Sequence, residues 1–246
     1  MPDLHYLDPR LAALYDHMNP LGAGDDYYIA LAGPPSKKVI DFGCGTGALA
    51  CAFAAKGHDV TGVDPAPAML NHGKSRENGG LVRWIEADMR GFRLDKTVDF
   101  MVMTGHAFQV FLTDADVDAA LATMRANLAP AGRAAFETRN PLVRDWETWV
   151  LPENRDRVDV PGIGPVEVSY EIESETEDRV GFASRYRFLK AGDEIVTHSV
   201  LRFMPQHALA AALEKADLKA LSWHGDWDGS AYTPASPEII VTATPA

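Results

Sequence analysis

Val39-Ile40-Asp41-Phe42-Gly43-Cys44-Gly45-Thr46-Gly47-Ala48-Leu49-Ala50 is the stretch that decides the fold. An apolar run passes through Asp41 into three alternating glycines and then into an alanine-rich segment, the pattern of strand, tight loop and helix. Gly43, Gly45 and Gly47 let the loop turn sharply, let a ligand touch bare backbone, and let the new helix pack on the strand it has just left. Such a loop makes a nucleotide pocket. Its Gly-x-Gly-x-Gly spacing is one residue shorter than the Gly-x-Gly-x-x-Gly that seats a pyrophosphate on a helix N-terminus, which argues against a dinucleotide.

Working outward, residues 48–56 favour helix, with Gly57 as a C-terminal stop. A second strand over 59–63 ends on Asp64, where a carboxylate can accept from both hydroxyls of a ribose. Asp64 can equally cap the helix opened by Pro65, Ala66, Pro67 and Ala68, and the two roles are compatible. The next unit, 81–90, has a strand half that leads into the loop Ala87-Asp88-Met89. A fourth strand, 98–103, is near-continuously apolar, as a strand covered on both faces should be. It opens into Thr104-Gly105-His106-Ala107-Phe108-Gln109-Val110-Phe111. Ligands of an open parallel sheet sit beyond the carboxyl ends of the strands, so this loop should face the incoming substrate. His106 is its only ionisable side chain; with an ordinary pKa of about 6.5 it suits a general base, or it shapes the pocket through a hydrogen bond and its backbone.

Asp41-Phe42-Gly43-Cys44-Gly45-Thr46-Gly47 is similar to the first motif of the class I S-adenosylmethionine-dependent methyltransferases, of the small-molecule type. The resemblance implies S-adenosyl-L-methionine as cofactor. It places adenine at the Ala-Asp-Met loop, with the Asp88 carboxylate accepting from the exocyclic amine and the backbone N–H of Met89 meeting a ring nitrogen. It also implies an N-terminal arm that closes over the cofactor, with a tyrosine near the position of Tyr15 reaching the methionine carboxylate. The expected cofactor positions around the glycine loop are Asp41, Gly43, Cys44, Gly45 and Gly47. Beyond it they are Asp64, Pro65, Met69, Thr104, Gly105, His106 and Gln109. Taken singly, Asp88 is an ordinary loop acid and Tyr15 an ordinary rim tyrosine; the ordered set is what makes the match specific.

The arm, 1–35, carries Tyr6, Tyr15, Tyr27 and Tyr28 and is expected to form one or two helices before Gly33-Pro34-Pro35 ends it. Thr113 or Asp114 caps a helix whose Val117, Leu121, Met124 and Leu128 share a buried face. Pro130-Ala131-Gly132 turns the chain into a fifth strand over 133–138. Arg139 at its end can hold a substrate carboxylate in bidentate fashion, or sit solvated or paired to an acid. From 142 the pattern changes to alternating polarity, with strands expected over 166–172, 180–188 and 194–201 and a hairpin turn at Lys190-Ala191-Gly192-Asp193. This predicts an antiparallel insertion of three or so strands. Its inner face, with Tyr186 and either Trp146 or Trp149, is either plain core packing or a lid over an acceptor pocket. Tyr28, Arg139, Trp146 and Tyr186 are the substrate candidates. Pro205 opens the last long helix, and strands over 218–223 and 238–243 close the chain. In the resembled fold these two form an antiparallel pair, the seventh strand lying between the fifth and sixth.

The expected fold is α/β: a doubly wound, seven-stranded, mostly parallel, Rossmann-like methyltransferase sheet with an antiparallel β insertion. Residues 1–141 and 204–246 make its core and 142–203 the lid or substrate insertion. The 246 residues carry a formal charge of −12, which disfavours nucleic acid and anionic membranes as partners and leaves a small molecule. Two cysteines without paired spacing predict reduced thiols, no metal and a cytoplasmic location. Neither a secretory leader nor a membrane span is legible, and a monomer or homodimer is expected. The expected chemistry is methyl transfer to a nucleophilic N, O or S of a small molecule. The alternatives are an NAD(P)-dependent oxidoreductase, disfavoured by the short glycine spacing and Asp88, and a non-catalytic S-adenosylmethionine-binding protein.

Overall fold

A computed structural model describes residues 8–152 and 156–246. Tyr6, with the rest of 1–7 of the arm, and 153–155 of the insertion lie outside the described residues. The arm forms two helices. In α1 (Pro9–Met18), Asp8 caps the N-terminus by accepting from the Arg10 N–H at 2.8 Å. Helix α2 (Ala23–Ala32) stops at Gly33, whose φ of 75° only glycine adopts without strain.

The central sheet is made of β1 (Lys38–Phe42), β2 (Asp59–Asp64), β3 (Val82–Glu86), β4 (Val98–Met103), β5 (Leu128–Arg139), β10 (Leu218–His224) and β11 (Glu238–Pro245). Its order is β10-β11-β5-β4-β1-β2-β3. All neighbours run parallel except β11, which lies antiparallel between β5 and β10. The connecting helices are α3 (Ala48–Ala55), α4 (Pro67–Ser75), α5 (Asp114–Asn127) and α7 (Gln206–Lys215). They cover both faces: Val117, Leu121, Met124, Leu209 and Leu213 pack one side, Tyr28, Leu49, Ala50 and Phe53 the other.

The fifth strand begins at Leu128, not at 133 as the turn residues suggested. Pro130-Ala131-Gly132 shifts the register against β4, from Val98↔Leu128 to Phe100↔Arg133, without ending the strand. A Cβ on Gly132 would lie 2.9 Å from the Val98 carbonyl oxygen, so glycine permits the close approach.

Between β5 and α7 come the short helix α6 (Trp146–Trp149) and a second sheet of four antiparallel strands, one more than expected. They are β6 (Asp156–Val160), β7 (Gly164–Glu175), β8 (Arg179–Phe188) and β9 (Asp193–Arg202). The added strand is the edge strand β6, a short run in which Val158 and Val160 alternate with Arg157 and Asp159 and pack inward, and its charges suit an edge. Helix α1 wedges between this sheet and the core. Leu11 and Leu14 pack on Val166, Val168, Tyr186 and Phe188, while Ala12 packs on Ala66 and Met69. Each fully buried leucine contributes about 1.5–3 kcal/mol to that seating.

Candidate active site

A cavity of about 1210 Å³ lies over the carboxyl ends of β1, β2 and β4, roofed by the second sheet and walled by α1. A smaller one of about 360 Å³ adjoins it; Tyr15, Asn19, Gly43, Thr104, Gly105 and His106 line both.

The glycine loop is held from behind and below. Gly43, Gly45 and Gly47 have φ of 67°, 53° and 73°. Gly43 and Gly45 present backbone to the large cavity. Gly47 faces away from it: a Cβ there would fall 2.1 Å from the Trp84 ring, which also closes on Gly62 and Gly73. The Trp84 indole N–H donates to the Gly79 carbonyl at 2.9 Å, fixing the ring. Asp64 buckles the loop from below. One carboxylate oxygen accepts from the Gly45 N–H at 2.9 Å and the other from the Ala66 N–H at 2.8 Å, each oxygen has capacity for a further bond, and the residue lines the cavity.

Asp41 is buried, and neither carboxylate oxygen has a hydrogen-bond partner among the described residues. Burial, then the charge of Asp64, pushes its carboxyl well above the usual range. It lines the smaller cavity with Cys44, Tyr28 and Glu137. Tyr15 reaches over the loop from α1, its ring 3.8 Å from the place of a Gly45 Cβ and its hydroxyl 3.8 Å from that of a Gly105 Cβ. Burial and the nearby acids push its phenol up to about 12.

Along the rim from Asp64, Pro65, Asp88 and Met89 line the large cavity. Asp88 is half-exposed and gripped by Arg90, whose Nε and Nη2 donate to its two oxygens at 2.9 and 2.6 Å. That hydrogen bond holds its carboxyl below the ordinary range.

His106 sits at φ 57° in the loop after β4. Its N–H donates to Glu137 Oε1 at 2.8 Å, and Glu137 Oε2 accepts from the Tyr28 hydroxyl. Its Nε2 lies 3.0 Å from each carboxylate oxygen of Glu238. Burial drives both members of that pair toward neutrality, taking His106 down to about 4 and Glu238 up to about 8. In direct contact they share a proton and titrate as a unit. Arg139 also lines the cavity; Gln109 Oε1 accepts from its Nη1 at 3.1 Å, and its Nε is 3.5 Å from Asp145. It stacks at 5.0 Å over Trp149, so it is at once paired to an acid and facing the cavity.

Four of the expected site residues line neither cavity: Gly47, Met69, Gln109 and Trp146. Met69 packs under α1, and Gln109 is a prop between Arg139 and the Arg202 carbonyl. Trp146 turns into a cluster with Val180 and Phe203, and Trp149 is the tryptophan on the cavity wall. Tyr186 lines the large cavity from β8.

The chain matches the methyltransferase-domain family over residues 39–132. It is 25% identical to the cypemycin N-terminal methyltransferase of a Streptomyces species, over 98% of both chains. Among solved structures, it resembles the S-adenosylmethionine-bound amino pentose methyltransferase of calicheamicin biosynthesis from Micromonospora echinaspora. That match has 26% identity and a TM-score of 0.69 over 95% of each chain. An S-adenosylmethionine-dependent methyltransferase from Clostridium acetobutylicum, 14% identical, shares the fold with a TM-score of 0.79 over 96% of this chain and 97% of that one. These matches support the class I S-adenosylmethionine-dependent methyltransferase superfamily for this chain.

The cavity of the methyltransferase fits its cofactor. Asp41 is a buried carboxylate unpaired among the described residues, two glycines leave bare backbone, and Asp64 and Asp88 add carboxylate acceptors to the lining, a donor and acceptor set that fits a cationic nucleoside. Three residues not among the expected site residues also belong to this region: Tyr170 lines the large cavity, Glu137 the smaller one, and Glu238 holds His106 from behind. For the two glutamates a signal existed. Each is an acid abutting an apolar run, 134–136 before Glu137 and 239–241 after Glu238, and a charge in a buried strand demands a partner.

Proposed function

We propose that this methyltransferase moves the methyl group of S-adenosylmethionine onto the nitrogen of a small-molecule amine bound between the glycine loop and the second sheet. The observation that carries the reading is one continuous cavity of about 1210 Å³ reaching from Gly43 and Asp64 to Tyr170 and Tyr186. It exceeds the roughly 300–1,000 Å³ of a single small-molecule site, so cofactor and acceptor can lie in it together. Asp64 lines it, Asp41 and Glu137 line the adjoining smaller cavity and Glu238 backs His106, a setting suited to a cationic cofactor and to an amine rather than to an anionic nucleophile. The named activities of the relatives, at the cypemycin N-terminus and on an amino pentose, support the same choice.

The bound cofactor supplies an electrophilic methyl on a positively charged sulfur. Gly43 and Gly45 bind it through backbone, Asp41 takes its amine, Tyr15 its carboxylate end, Asp64 the ribose, and Asp88 with Met89 the adenine. Helix α1 and the second sheet exclude water and align the acceptor nitrogen, and alignment carries much of the barrier reduction when the leaving group departs neutral. Arg139 orients the acceptor from the β5 end. The charge of −12 and the free Cys44 and Cys51 support action in the cytoplasm without nucleic acid. Among the described residues no helix is long and apolar enough to cross a membrane.

Incubation with methyl-tritiated cofactor and a panel of amines, alcohols and thiols tests the assignment. Label in the amines, with a methyl-sized mass gain, is the expected result, and label confined to oxygen or sulfur would overturn it.

A further inference from the structure

The start of β11 brings Glu238 against His106, although 132 positions separate them in sequence. His106 Nε2 is spent on that carboxylate, 3.0 Å from both oxygens, a geometry that a ring N–H donating to an ionised carboxylate satisfies. The other nitrogen, Nδ1, has no hydrogen-bond partner among the described residues and is not sealed from the cavity that His106 lines. The main chain of the same residue is pinned by Glu137, so the ring is fixed from two sides.

We propose that Glu238 is a positioning residue that locks His106 as its Nε2–H tautomer and presents Nδ1 as the proton acceptor for the incoming amine. This rests on the amine reading above. An alkylammonium has no lone pair, so its proton must leave before attack. That proton passes to Nδ1 and the resulting imidazolium is held by the Glu238 carboxylate. The freed nitrogen pair then forms the N–C bond as the methyl carbon parts from sulfur, whose bonding pair stays on sulfur. The proton returns to solvent from His106. The charged and titratable neighbours of the pair are Glu137, Arg139 and Asp145 around the ring, and Arg139, Asp145 and Asp226 around the carboxyl. Arg139 offsets the negative charge that Glu238 keeps while Nδ1 is free, and favours neutral imidazole in the resting site. The pair accepts a proton only after losing one, so the rate should rise with pH toward the raised titration near 8.

Two measurements on the full chain test this. Nitrogen-15 histidine spectra of the protein without acceptor should show His106 protonated on Nε2 above pH 8, and Glu238→Gln, whose amide can donate or accept, should mix the tautomers. With an amine that the wild type methylates, Glu238→Gln should lower kcat about 100-fold, remove the inflection near pH 8 from the rate profile, and leave cofactor affinity by calorimetry unchanged. His106→Asn should lose as much, and the double variant no more than either. A wild-type His106 protonated on Nδ1 above pH 8, or a Glu238→Gln enzyme with unchanged kcat and pH profile, overturns the pairing and leaves the amine reading intact. Methylation confined to alcohols sinks the amine reading, and the same kcat comparison on the alcohol then decides the pairing.

Discussion

The two halves of the cavity are built in opposite ways. On the glycine-loop side the backbone of Gly43, Gly45 and Gly105 and the Asp64 carboxylate face it among apolar side chains, set by where β1, β2 and β4 stop. On the second sheet they are side chains. Phe182, Ser184 and Tyr186 point inward from alternate positions of β8, and Ser184 is flanked in register by Tyr170 of β7 and Thr197 of β9. A backbone cradle cannot be retuned without moving the sheet, whereas a row of side chains changes one residue at a time. The glycine-loop side is therefore fixed by the fold, and the second-sheet side is free to differ.

The hardest blow to that contrast would be struck at Gly47. Gly47→Val drives a side chain into Trp84 at a left-handed φ of 73°, which should cost about 2–4 kcal/mol. Thermal unfolding would register the loss, and calorimetry the disappearance of cofactor binding. If cofactor affinity survived, the loop would not be the rigid half.

Asp41→Asn should separate stability from function on the same side. The folded chain holds the Asp41 proton more tightly than the unfolded chain, because burial raises its carboxyl above 3.8. Its contribution to stability is full below pH 3.8 and is lost as pH rises through the folded value. The variant escapes that loss. Without cofactor it should melt higher at pH 8 than the wild type, by about 2–4 °C for each kcal/mol gained, with the difference vanishing toward pH 4. Cofactor affinity should fall at least tenfold. A variant that binds the cofactor normally would remove Asp41 from the site.

On the second sheet the effects should be smaller and confined to the acceptor. Thr197 is buried with its hydroxyl unpartnered among the described residues, so Thr197→Val should leave stability level or slightly improved. Acceptor KM should rise about 3–10-fold, the worth of one hydrogen bond, with cofactor affinity unchanged. A change in cofactor affinity would mean that the two halves are coupled. The smallest effect is expected where α1 meets the second sheet. The Arg10–Asp193 ion pair, 2.7 Å long but half-exposed, should be worth under about 1 kcal/mol, and Asp193→Asn should barely move the melting temperature.

Sequence alone determined the sheet with its glycine loop, because these depend on local signals: apolar runs, alternating glycines and acids at strand ends. Asp64 and Asp88 were legible for the same reason, each lying where a strand gives way to a loop. The added strand β6 was not, since its alternation amounts to two valines, Val158 and Val160, and it is an edge strand paired with β7 alone. Only the tertiary structure could choose Trp149 over Trp146 for the cavity wall, because both lie on one turn of α6 and packing against Phe203 decides which turns inward. Only it could join His106 to Glu238, for the contact exists because β11 runs back antiparallel beside β5. Local free energies write themselves into neighbouring residues, but a contact closed by the last strand of a sheet has no trace until the whole sheet is assembled.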